Sequence, residues 1–77
     1  MDLPAETVEA TIQVYLSQMR QRLNDAAGIA KAAEACAEAG QIEKGVEVAL
    51  NVEQLLYEVN TFLNAASLIN RLARPNQ

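Results

Sequence analysis

The chain has 77 residues, 51% of them hydrophobic and 4% aromatic, with a net charge of −4. That length allows one domain at most, with little core to bury unaided, and the acidic balance argues against a role built on nucleic-acid backbone contacts. No apolar run approaches the roughly 18 residues that span a bilayer; Cys36 is the only cysteine, so an intramolecular disulfide is excluded and, with no signal peptide, a reducing cytoplasm is the expected setting.

Pro4 suits the first turn of a helix, and Glu6 and Glu9 favour its positive end. The predicted helix one runs from about residue 4 to 39. Its apolar positions Val8, Ile12, Tyr15, Met19 and Leu23 advance in steps of three and four, with Leu16 beside them. From Ala26 the stripe continues as Ala30, Ala33 and Ala37, so large side chains give way to small ones. Gly28 costs about 1 kcal/mol relative to Ala inside a helix, and Asn24-Asp25 could cap a new one. The stripe crosses it without a phase jump, so one continuous helix is expected. Gly40 is the left-handed cap residue that ends it, and a turn over 40–41 forces the next helix to return antiparallel.

Helix two is predicted from about 42 to 73. Three rows run along it at seven-residue spacing: Ile42, Ala49, Leu56 and Leu63; Gly45, Val52, Val59 and Ala66; and Val48, Leu55, Phe62 and Ile69. They form one broad apolar face, too wide for a single partner helix. Arg71 and Arg74 suit the negative end of the helix. Pro75 stops it, and Asn76-Gln77 should fray.

Folding the chain about Gly40-Gln41 sets Ala33 near Ala49, Ala26 near Leu56, Leu23 near Val59 and Met19 near Leu63. Asp2, Glu6 and Glu9 then lie beside Arg71 and Arg74, exposed pairs worth only ~0–1 kcal/mol each. In this packing helix one occupies the first two rows. Val48, Leu55, Phe62 and Ile69 are left for a partner. Val46, Leu50, Tyr57 and Leu68 form a further apolar series on the back of helix two, and the eight together are the expected protein interface.

Catalytic signals are lacking. The absence of His removes the usual general base and the commonest metal ligand. Glu34 with Glu38, and Glu43 with Glu47, pair at helical spacing, but at a hairpin tip they read as a solvated acidic surface. Cys36, between Glu34 and Glu38 in AEACAEA, reads as a small packing residue rather than a nucleophile. Asn70 continues the first row and could fix register in a buried seam. No catalytic, metal-binding or cofactor-binding residue is assigned, and no small-molecule substrate is evident. The stretch AEACAEAGQIEKGVEVAL resembles the inter-helix turn of a tetratricopeptide repeat. It covers about a quarter of the chain without a second copy at the ~34-residue period, so it implies shared hairpin physics and no function.

The expected architecture is all-α: an antiparallel two-helix hairpin, dimerising into a four-helix bundle. The expected function is a small non-enzymatic oligomerisation or protein-binding module, an adaptor, co-chaperone or regulator acting through the apolar face of helix two. Its partner is a second copy or another helical protein. Small hairpin co-chaperones of bacterial secretion systems share this general shape. The alternatives are a Rop-like RNA-binding dimer using Arg20 and Arg22, for which two cations are thin support, and an accessory subunit of an enzyme complex.

Overall fold

A computed structural model describes residues 4–74. Asp2, Pro75 and the Asn76-Gln77 tail, on which expectations were placed above, lie outside the described residues. The described chain is helical, without a strand: α1 (Ala5–Glu38), α2 (Ile42–Ala49) and α3 (Val52–Ala73). α1 packs along both α2 and α3, which makes an antiparallel hairpin measuring 56 × 16 × 16 Å.

α1 runs unbroken through 34 residues, Gly28 included. Pro4 is its N-cap, with its carbonyl accepting the Val8 N–H at 3.1 Å, and Glu6 lies in the first turn. The other end closes as a Schellman motif. Gln41 N–H donates to the Cys36 carbonyl at 2.9 Å, and Gly40 N–H donates to that of Ala37 at 3.0 Å. Gly40 has φ +87°, a left-handed backbone that costs an L side chain strain. The Gln41 carbonyl then accepts the Gly45 N–H at 2.9 Å, so the return arm starts within one residue of the turn.

The return arm is interrupted where one helix was expected. Leu50 and Asn51 keep right-handed torsions, but Asn51 N–H donates to Val48 and Glu53 N–H to Leu50, spacings of three rather than four. The tightened turn falls where the seam passes from Gly45 to the larger Val52, Leu55 and Phe62. Asn, a weak helix former, stands at the junction.

Near the turn the arms approach closely. Gly45 is buried, and a Cβ there would lie 2.8 Å from the Ala33 carbonyl oxygen and 3.6 Å from the Ala37 Cβ. Ala33 therefore faces Gly45 rather than Ala49. At mid-length the guanidinium of Arg22 reaches Glu58, and at the open end Ala5, Val8 and Glu9 share a notch with Ala73 and Arg74. No ion pair joins Glu6 or Glu9 to Arg71 or Arg74 among the described residues.

The buried hydrophobic side chains are small: Val8, Ala26, Ala33 and Ala66. No large side chain among the described residues is fully buried. Two single-file helices can enclose only a line of atoms, so each larger residue keeps one flank in water.

Candidate functional site

The seam uses the second and third rows of the return arm. Gly45 and Ala66 are buried, Val52 and Val59 half-buried, and Val48, Leu55, Phe62 and Ile69 half-buried beside them. This reverses the expected packing. The Val48 row faces α1, and the row left open is Ile42, Ala49, Leu56 and Leu63, with Asn70 beyond it, all exposed. The Gly45 row faces α1 in both packings, so the arm is rotated by only about 50°, half of the ~100° that one residue turns.

The reason lies in what α1 offers at mid-length. Tyr15 and Phe62 stack with ring centroids 5.8 Å apart, tilted by 39°. The Arg22 guanidinium sits 4.9 Å from the Phe62 centroid and donates from Nε to a Glu58 carboxylate oxygen at 2.9 Å. Gln18 accepts from the same guanidinium, and Gln54 donates to Glu58 at 2.9 Å. The hydrogen bonds from Gln54 and then Arg22 hold the half-buried Glu58 carboxyl below its ordinary range. Phe62 in the seam gains a ring and a cation. Leu63 in its place would leave Arg22 and Glu58 apart.

This network closes one edge of the seam and leaves the two sides of the hairpin unlike. On α1, Leu16, Leu23 and Ala30 recur every seven residues along one flank of the seam. On the return arm Ile42, Ala49, Leu56 and Leu63 do the same. In an antiparallel pair these two flanks lie on the same side of the molecule. The contacts at Gly45, Glu58 and Ala73 set the register, which puts Leu23 level with Leu56, Leu16 with Leu63, and Ala30 with Ala49. Leu16, Leu23, Leu56 and Leu63 are 50%, 46%, 50% and 48% exposed. The opposite side carries Gln18, Asp25, Gln54 and Glu58, with Val14 and Leu68 as separate exposed apolar residues towards its two outer edges.

Of the residues expected at an interface, Val46, Leu50, Tyr57 and Leu68 are exposed, but they do not form one patch. By helical spacing Val46 borders the leucine side, Leu50 and Tyr57 point directly away from the seam, and Leu68 lies towards the polar side. Residue spacing alone could have found the leucine flank, because Leu16 and Leu23 are seven apart on helix one. Arg22 is tied to Glu58 and Phe62, whereas Arg20 is exposed on another face, so the two do not share a phosphate-sized patch. Cys36 is half-buried. Asn70 is exposed at the end of the open row.

The fold and surface together define an antiparallel helical hairpin with one apolar side and one polar side. No family model, curated protein or solved structure matches the chain. No helix among the described residues is long and apolar enough to cross a membrane.

Proposed function

We propose that the chain is a non-enzymatic association module: the hairpin is half of a four-helix bundle, and its leucine side takes the other half. The observation that carries this reading is the set of four half-exposed leucines aligned on one side of a hairpin whose buried hydrophobic side chains are all small. Covering the open half of each leucine is worth about 1 kcal/mol, half the ~1.5–3 kcal/mol of a full burial. Summed over four, that is a large share of the ~5–15 kcal/mol that holds a small domain together. The polar side stays in water. Such a module serves as adaptor, co-chaperone or regulator in a reducing compartment, where Cys36 stays a free thiol.

Sedimentation equilibrium and thermal melts at several concentrations test the reading. The expected results are an associated species and a melting temperature that rises with protein concentration. The double variant Leu23→Gln/Leu56→Gln should remove both effects. A helical monomer with a concentration-independent melt, or a double variant that associates as well as the parent, overturns it.

A further inference from the structure

Resting on that association reading, we infer that the other half of the bundle is a second copy of this chain, docked end for end. Its two-fold axis crosses the hairpin at Leu23 and Leu56, and each Leu16–Leu63 level sits on the partner's Ala30–Ala49 level.

The surface has the size a self-pair needs. The hairpin exposes 5770 Å², about 1,200 Å² more than a compact monomer of its mass would show. A standard interface takes roughly 800 Å² from each partner. Its radius of gyration, 17.4 Å, compares with about 11–12 Å for a compact domain of this length.

The pattern along the leucine side selects the occupant. The levels read Leu16–Leu63, Leu23–Leu56, Ala30–Ala49 and, beside the turn, Ala37–Ile42, from the open end towards the turn. The Leu23–Leu56 level lies at mid-length, between the start of α1 and the turn at Gly40. Reversal about that level exchanges the large level with the small one. Each copy then supplies leucines where the other supplies alanines, the alternation that fills a bundle without voids. A same-end pair stacks leucine on leucine at two levels and alanine on alanine at the third, which crowds the first two and empties the last. Charge favours the same choice. Glu34, Glu38, Glu43 and Glu47 surround the turn against Lys31 and Lys44. Same-end pairing would bring two such acidic tips together, whereas reversal sets each beside the partner's open end, where Arg71 and Arg74 balance Glu6 and Glu9.

A single distance decides it. Gln41 is exposed in the turn, and its side chain makes no capping bond. With Gln41→Cys introduced on a Cys36→Ala background, a nitroxide label marks each tip, and pulsed dipolar spectroscopy reads the separation in the dimer. Reversed pairing gives about 50 Å, twice the rise from Leu23 to the turn at 1.5 Å per residue. Same-end pairing gives at most about 25 Å, the width of two adjacent helices. A short distance in a sample of dimeric mass overturns the reversed arrangement and leaves the association reading standing. Monomeric mass with no dipolar coupling overturns both. As a second readout, Leu23→Cys on the Cys36→Ala background should oxidise to a disulfide-linked dimer by itself, and Leu16→Cys should not. Equal cross-linking by the two contradicts the reversed pair.

Discussion

Replacing Gly45 with Ala tests the close approach of α2 to α1 near the turn. Two effects oppose each other. Alanine improves helix propensity by about 1 kcal/mol over glycine. Its Cβ, however, would sit 2.8 Å from the Ala33 carbonyl oxygen, and that oxygen belongs to helix backbone that cannot rotate aside. Relief requires α2 to withdraw by about half an ångström, a gap that forfeits a quarter or more of each affected contact. Overpacking of this kind costs about 1–3 kcal/mol, so the net loss is up to about 2 kcal/mol, or a fall of up to roughly 15 °C in melting temperature for a chain this size. Gly28 is the control. It lies in the same hairpin with helical torsions and nothing within 4 Å of its added Cβ. Gly28→Ala should stabilise by about 0.5–1 kcal/mol. Far-UV circular dichroism melts at one fixed protein concentration compare the two. If Gly45→Ala melts as high as Gly28→Ala, the close approach does not limit stability and the reasoning fails.

Gly40→Ala should destabilise the hairpin by about 1–2 kcal/mol, because a Cβ is strained at φ +87°; urea unfolding followed by ellipticity measures it, and an unchanged midpoint refutes it. Glu58 gives the pH dependence. Its folded-state value is depressed, first by the Gln54 hydrogen bond and then by Arg22, so its stabilisation is present above the ordinary glutamate value of 4.5 and is lost as pH falls through the folded value. Melting temperatures of the parent and Glu58→Gln should therefore differ at neutral pH and converge in acid, and a constant difference down to low pH contradicts the assignment.

The helical class, the turn at Gly40 and the continuity of α1 past Gly28 were legible from spacing and cap chemistry, both local properties. The rotation of the return arm was not. The rows on either side of Gly45, Val52, Val59 and Ala66 are almost equally apolar, so hydrophobic period alone cannot choose between Leu56–Leu63 and Leu55–Phe62. The choice rests on Arg22, Glu58, Tyr15 and Phe62, which are far apart in sequence and meet only once the register exists. The break at Leu50-Asn51 was hidden for a related reason. Val48, Val52 and Leu55 keep helical spacing across it, and a lone asparagine is an ambiguous stop signal.

The slender shape carries one more consequence. Gly45 lies 12 residues from Ala33, whereas Ala73 lies 65 residues from Val8, and contacts at intermediate heights fall between. Closing the widest loop directly, instead of the narrowest, costs only about 1.5 kcal/mol more, because the entropy of closure grows with the logarithm of length. Once an inner contact has formed, the next one out need order only a few further residues on each arm. The hairpin is therefore expected to close like a zipper whose slider starts at Gly40, which brings the first turn of α1 and the last turn of α3 to one end of the rod by a sequence of local steps.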